Sequence, residues 1–94
     1  MNATAGSYAL LGSRPPRESK VATKLREAGA VILGLANLSE WANIRSETET
    51  SGWSPKGGYT KGIYYPGMNA QGSSSGPAVT TGLGLAFASL GSEV

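Results

Sequence analysis

One segment of the chain shows a clear helical spacing of apolar residues. Good helix formers run from Ser19 to Ala28, and Val21, Leu25 and Ala28 recur at i, i+4 and i+7. This spacing predicts an amphipathic helix whose apolar face is directed at a core. Ser19 is the predicted N-cap, and Gly29 is expected to end the helix, because glycine adopts a left-handed backbone without a Cβ penalty.

Two short apolar runs predict buried strands. Residues 30–33 follow Gly29 directly, and residues 86–90 precede Gly91. A short run that is apolar throughout is typical of a strand buried on both faces, which must pair with neighbouring strands. Helix-then-strand units of this kind indicate an α/β fold. A third apolar run, residues 8–11, is also expected to be buried within an otherwise extended entry segment.

The long stretch from residue 36 to residue 72 is rich in glycine, serine, threonine, tyrosine and proline. A loop of this length inside a domain is usually either functional or disordered. Its aromatic residues argue against simple disorder, and we interpret Trp41 and Trp53 as packing residues rather than substrate contacts. A short helical turn is expected over residues 37–41, with Ser39 near its start.

A Gly/Ser-rich loop, residues 72–76, leads into Pro77 and is called the serine loop below. Proline is favoured at the first helical position, so a second helix is expected to begin there. Gly82 and Gly84 should each weaken this helix by about 1 kcal/mol relative to alanine.

The composition excludes several kinds of active site. The chain has no histidine and no cysteine, and all six acidic residues are glutamates. These absences remove the Ser-His-Asp triad and the usual imidazole or thiolate metal sites, so neither a metal nor another cofactor is predicted. Glycosidase chemistry would need a pair of carboxylates, and Glu47 and Glu49 lie in a segment that we interpret as a solvated loop.

Charge and hydropathy exclude further classes of partner. The net charge is only +2, and the basic residues are scattered without interleaved aromatic residues, so no nucleic-acid-binding surface is predicted. No segment approaches the length of apolar sequence needed for a membrane span.

Four segments in series carry a resemblance to a known family. They are ATAGSYAL, KLREAGAVILGLANLSEWAN, SGWSPKGGYT and GSSSGPAV. In this order they resemble the amidase signature family, and within it the fungal-type members, over nearly all of the chain. The resemblance implies amide hydrolysis by a serine-serine-lysine triad. In that triad a lysine is the base, a serine preceded by or within a cis peptide relays the proton, and a second serine attacks the carbonyl.

The resemblance maps only part of this triad onto the chain. Ser74 takes the position of the relay serine, and the rest of its loop would support it or form an oxyanion loop: Gly72, Ser73, Ser75 and Gly76. Residues 91–94 resemble the strand end that leads to the nucleophile, which is expected beyond Val94. None of the four lysines matches the catalytic position, which is expected upstream of the first matched segment.

We therefore expect residues 1–94 to be an internal fragment of a single amidase-signature domain. The expected fold is a partial core, in which helix–strand units belong to a larger mixed sheet with helices on both faces. The longer parent would act on a small-molecule or peptide amide, and the chain alone would be inactive. A non-catalytic α/β binding module is the alternative. For the serine loop itself, a flexible linker and an anion cradle at a helix N-terminus also stay open.

The chain departs from the family pattern at three places. Leu35 and Ala36 stand where a lysine and a small hydroxyl residue are usual, and Pro77 replaces a glycine or serine. Gly82 and Gly84 replace residues that favour a helix. These departures suggest relaxed constraint on this segment or an incomplete reading frame.

Overall fold

The first helix ends where local sequence signals predict. The structure is a computed structural model that describes residues 3–44, 48 and 51–92. Helix α1 spans Lys20–Glu27, and the Ser19 hydroxyl caps it by accepting the Ala22 N–H at 3.2 Å. At the other end Gly29 has a φ of +92°, and the Ala30 N–H donates to the Leu25 carbonyl at 2.9 Å. This is a Schellman motif, as the glycine predicted.

An exposed ion pair joins the start and the end of α1. Arg26 donates to Glu18 at 2.8 Å, and this hydrogen bond lowers the pKa of the Glu18 carboxyl. Its stabilising effect is therefore present above the carboxyl's unfolded pKa and is lost as the pH falls through the folded value. Solvent screens both groups, so the contribution to stability is small.

The remaining elements are short. A 3-10 helix at Tyr8–Leu10 and a 3-10 turn at Glu40–Asn43 flank α1 in the chain. Strands β1 (Trp53–Ser54) and β2 (Gly58–Tyr59) form a two-stranded antiparallel hairpin in which Trp53 pairs with Tyr59. Helix α2 spans Ser75–Gly82. Within the described residues, the fold is thus a small α/β unit with two helices and one hairpin.

The predicted turn after residue 37 is present but unusual. It begins after Ser39, as expected, yet Trp41, Ala42 and Asn43 have φ values of 47°, 54° and 71°. L-residues other than glycine rarely adopt such left-handed conformations, so contacts with other segments must stabilise the turn. One such contact is the Trp41 N–H, which donates to the Ala5 carbonyl at 3.0 Å. Whether Trp41 and Trp53 act only in packing stays a prediction.

Helix α2 begins two residues before the predicted start. Ser74 precedes its first residue, and Pro77 is the third helical residue. Proline is tolerated there because the N–H groups of the first turn have no helical acceptor. Gly84 lies beyond the helix with a φ of +69°, and the Leu85 N–H donates to the Thr80 carbonyl at 3.0 Å. The expected helix-weakening cost at Gly84 is therefore wrong, because this glycine ends the helix in a second Schellman motif.

The two predicted strands do not form in this chain. Residues 30–33 and 86–90 make no ladder with any strand that the structure describes. Val31 is 81% exposed and Phe87 is fully exposed. A strand requires a neighbour, and the described ranges offer only the two-residue strands of the hairpin. The larger mixed sheet with helices on both faces is therefore not seen here.

The other expected core residues are also uncovered. Tyr8 and Leu11 in the first apolar run are exposed, as are Val21, Leu25 and Ala28 on α1. No hydrophobic side chain is buried within the described ranges. The buried residues are small: Thr4, Gly6, Ser7, Ser39, Gly52, Ser54, Ser75 and Gly76. The interior of this unit is therefore built from glycine and hydroxyl side chains.

The Schellman geometry at Gly29 can be tested directly. Gly29→Ala should destabilise the end of α1 by about 1 kcal/mol, because an alanine must adopt the left-handed conformation there. No atom lies within 4 Å of the added Cβ, so steric overlap does not contribute. Gly34→Ala is the matched control, since its Cβ also meets open space and its φ is not left-handed. Helix content and urea unfolding followed by circular dichroism measure both, and equal losses in the two variants would contradict this account.

Candidate functional site

The serine loop lies against the chain segment that ends the described residues. Ser74 Oγ accepts the Ser92 N–H at 2.8 Å and donates to the Ser92 carbonyl at 3.2 Å. Ser73 Oγ lies 3.5 Å from Ser92 Oγ, which is longer than a normal bond between hydroxyls. The serine loop is therefore hydrogen-bonded to the segment that contains Ser92. Glu93 and Val94, which the sequence placed on the way to the nucleophile, lie outside the described residues.

The two neighbouring hydroxyls differ in how they are held. The Ser74 hydroxyl is bound on both sides by the main chain of one residue, so its proton is directed at a carbonyl oxygen. Among the described residues, the Ser73 hydroxyl has only the distant Ser92 hydroxyl as a neighbour. The peptide bond between Gly72 and Ser73 is cis, so it precedes Ser73 rather than Ser74.

Ser75 is the most buried member of the loop. It is 1% exposed, and its Oγ has no hydrogen-bond partner among the described residues. A buried hydroxyl without a partner costs about 1–3 kcal/mol. The Cβ that a side chain at Gly52 would add lies 3.2 Å from this oxygen, so Ser75 packs directly against the Gly52 backbone. Its predicted role as a supporting donor stays a prediction.

Residues 37–39 join the serine loop to the hairpin. The Gly76 N–H donates to the Asn37 carbonyl at 3.0 Å, and the Ser39 N–H donates to the Ser73 carbonyl at 3.4 Å. On the other side, the buried Ser39 Oγ accepts the Gly52 N–H at 2.8 Å. Sequence reasoning noted Asn37 and Ser39 only as part of a matched segment and a turn. In the sequence, an amide and a hydroxyl side chain near glycine-rich segments are only a weak indication that these residues join the loop to the hairpin.

Glycine is required where these segments cross. A Cβ at Gly76 would overlap the main-chain oxygen of Asn37 and lie 2.5 Å from its nitrogen. At Gly72 it would lie 2.9 Å from Ser39 Oγ. A side chain is therefore disfavoured at Gly76 by the Asn37 main chain and at Gly72 by the Ser39 hydroxyl, so the loop is packed tightly on residues 37–39. This packing disfavours the flexible-linker interpretation of the loop.

An apolar cleft lies beside the first half of α2. Its walls come from the loop before the serine loop and from the helix itself: Gly62, Ile63, Tyr64, Met68, Ala70, Ala78 and Val79. The cleft is open on one side, and it begins one helical turn after Ser74.

The site contains no lysine contact in the part of the chain that the structure describes. The hydrogen bonds of Ser73 and Ser74 there go to Ser92 and to main-chain groups. The described ranges also hold no group of three acidic or other metal-binding side chains, and no helix long and apolar enough to cross a membrane. Glu47 and Glu49, considered above as a carboxylate pair, fall outside the described residues.

Comparison with known proteins decides the family. The model of the family described as Amidase matches residues 1–94. The chain belongs to this family. It is 53% identical to a predicted amidase of Arthroderma benhamiae and 50% identical to a probable amidase of Arabidopsis thaliana, in each case over 93 residues and 99% of the chain.

The chain also matches an amidotransferase subunit and a solved structure. One polypeptide of the glutamyl-tRNA(Gln) amidotransferase of Gloeobacter violaceus is 41% identical over 96% of the chain. A crystal structure named PAM12A superposes with a TM-score of 0.84 at 49% identity and covers 88% of the chain. The chain spans only 16% and 18% of the two predicted amidases and 17% of PAM12A. The resemblance to the amidase signature family is thus confirmed, and the chain corresponds to a small part of its relatives.

The glycine crossing can be tested within α2. Gly76→Ala should strongly destabilise the packing of the loop on residues 37–39, because rigid main-chain atoms would have to move. Gly82→Ala is the control in the same helix. Its Cβ would meet only the Ile63 side chain, whose flexible terminal Cδ1 is the nearest atom, and alanine favours the helix. We expect a clear loss of unfolding free energy for the first and a change within about 1 kcal/mol for the second. Denaturant unfolding of both variants compares them, and similar values would contradict the close main-chain crossing.

Proposed function

We propose that this chain supplies the serine loop of a hydrolase that cleaves carbon–nitrogen amide bonds by the serine-serine-lysine mechanism. Family membership over the full chain supports the reaction class. The observation that carries the proposal further is the contact between residues 73–74 and Ser92. This contact supports the proposal, because the family resemblance puts Ser92 on the path to the expected nucleophile.

The proposed chemistry uses two hydroxyls and one amine. A neutral lysine takes the proton of the relay serine, and the relay serine takes the proton of the nucleophilic serine as that oxygen attacks the amide carbon. The proton then returns along the same path to the leaving amine, and water releases the acyl group in a second cycle. The chain has no histidine, which this route does not require. We propose that the lysine and the nucleophile lie outside these 94 residues.

Two loop serines are candidates for the relay. The sequence mapping gives Ser74, with Gly72, Ser73, Ser75 and Gly76 as the supporting loop. The hydrogen bonds favour Ser73, because a relay must exchange its proton and the Ser74 proton is directed at the Ser92 carbonyl. We therefore propose Ser73 as the relay and Ser74 as the residue that fixes the loop to residues 91–92.

The substrate is proposed only as a class. Amide hydrolysis implies a small-molecule or peptide amide, and the apolar cleft beside α2 could receive an alkyl or aryl group of such a substrate. A complete site requires the rest of a longer chain, so we expect no turnover from the 94 residues alone.

A chimera tests the proposal. The 93 matching residues of the Arthroderma benhamiae relative are replaced by this chain, and ammonia release is measured on a panel of aliphatic and aromatic primary amides. Ser73→Ala should lower kcat on the order of 10³-fold or more, as loss of a triad member does. Ser74→Ala should lower kcat less, because it loosens the loop without removing the relay. Ser89→Ala, a hydroxyl that bonds Thr81 and the Pro77 carbonyl, is the control and should retain activity.

The outcomes separate the possibilities. Loss of activity in Ser74→Ala with activity retained in Ser73→Ala would return the relay to Ser74. An inactive chimera, beside an active parent relative, would contradict the proposed function and favour a non-catalytic binding module.

A further inference from the structure

The Asn37 side chain is the most extensively bonded group in the described residues. Its Nδ2 donates to Thr60 Oγ1 at 2.8 Å, to the Gly58 carbonyl at 3.2 Å and, weakly, to the Gly52 carbonyl at 3.4 Å. Its Oδ1 accepts the Ser54 hydroxyl at 2.7 Å. Carbonyl oxygens only accept, so the NH₂ group must face them and the orientation of the amide is fixed.

These bonds connect the Asn37 side chain to both strands of the hairpin. Ser54 and Gly58 belong to the two strands, and Thr60 follows β2. Ser54 Oγ passes the network on by accepting the Gly57 N–H at 2.9 Å. Space for the amide is made by Gly57, where any Cβ would overlap the Asn37 side chain.

The main chain of the same segment holds the serine loop. The Asn37 carbonyl accepts the Gly76 N–H in the first turn of α2, and the Ser39 N–H donates to the Ser73 carbonyl. The Ser39 hydroxyl, which is completely buried, accepts the Gly52 N–H. Residues 37–39 are therefore bonded to the hairpin on one side and to both ends of the Ser73–Gly76 stretch on the other.

We propose that Asn37 is a positioning residue that fixes the serine loop through the hairpin. The buried Ser39 hydroxyl provides a second contact between residues 37–39 and the hairpin side. Asn37 touches no reacting atom in this arrangement. Without the Asn37 side chain, the hairpin keeps only the Ser39–Gly52 bond to this segment among the bonds given above. The Gly52 N–H then moves relative to Ser39, and the main chain of residues 37–39 no longer holds Ser73 and Gly76 in place. The catalytic consequence of this inference rests on the proposed function, but its structural part does not.

The test is amide hydrogen exchange, measured by NMR on the 94-residue chain at matched pH. Asn37→Asp keeps the shape of the side chain and removes the NH₂ donors. Exchange of the amides of Gly52, Thr60 and Gly76 should rise together by about 10-fold or more, because all three depend on the hydrogen bonds of residues 37–39. The amide chemical shifts of α1, which makes none of these bonds, should be unchanged.

The pH dependence gives a readout that simple destabilisation would not give. The ionised carboxylate of the Asn37→Asp variant cannot donate to the Gly58 and Gly52 carbonyls, whereas the protonated carboxyl can donate one bond. Acceptors facing this carboxyl disfavour its charged form, so its pKa should lie above the ordinary value of about 3.9. The described hydrogen-bond partners of Asn37 include no charged side chain; they are Gly52, Ser54, Gly58, Thr60 and the Gly76 N–H. Relative to the unchanged chain, protection should therefore partly return as the pH falls.

Two further variants keep the test decisive. Asn43→Asp makes the same chemical change in the left-handed turn, outside residues 37–39, and should leave exchange at Gly52 and Gly76 unaltered. Thr60→Val removes one acceptor of the Asn37 amide with its shape kept, and should give a smaller rise in the same amides.

Three results would overturn the inference. The first is faster exchange confined to residues 52–60 with Gly76 unaffected, which would show that the hairpin does not position the loop. The second is an equal effect of Asn43→Asp. The third is unprotected Gly52 and Gly76 amides in the unchanged chain. In the active chimera, Asn37→Asp should lower kcat about 10-fold or more with KM little changed, while an inactive unsubstituted chimera would bear on the proposed function alone.

Discussion

The arrangement depends on one short stretch of main chain, residues 37–39, which is hydrogen-bonded on both sides. One side receives the hairpin through the Asn37 amide and the Ser39 hydroxyl, and the other receives the serine loop through two main-chain bonds. The Ser39–Gly52 bond is buried, whereas the Asn37 side-chain bonds are part-buried or exposed. Hydrogen bonds are directional, so together they fix how these segments are oriented. The serine loop is therefore placed by polar contacts from sequence positions more than thirty residues away.

This mode of packing explains the composition. At Gly76 any larger residue would overlap the Asn37 backbone, and at Gly72 an added Cβ would crowd the buried Ser39 hydroxyl. The buried positions accordingly hold glycine, serine and threonine, and the large apolar side chains remain outside.

Local signals in the sequence were sufficient for α1, because its cap at Ser19 and its terminating Gly29 act within a few residues. They were insufficient for residues 30–33 and 86–90, because a strand depends on a partner that local pattern does not supply. Helix α2 begins at Ser75 rather than at the predicted Pro77, because proline is tolerated throughout the first turn of a helix. The serine loop itself was located by resemblance, whereas the role of Asn37 was not predicted. Its side-chain hydrogen bonds join residues that are 15 to 23 positions apart, and such long-range contacts leave no periodic pattern in the sequence.

The most direct test of this account is the set of nuclear Overhauser contacts around Asn37 in the purified 94-residue chain. The account predicts cross-peaks from the Asn37 side-chain amide protons to Gly58 and Thr60, together with cross-peaks from the Gly76 amide to residues 37 and 38. Their joint presence would show that the serine loop and the hairpin are held by one segment. Hairpin cross-peaks without those to Gly76, or a spectrum lacking both, would contradict the claim that residues 37–39 fix the serine loop.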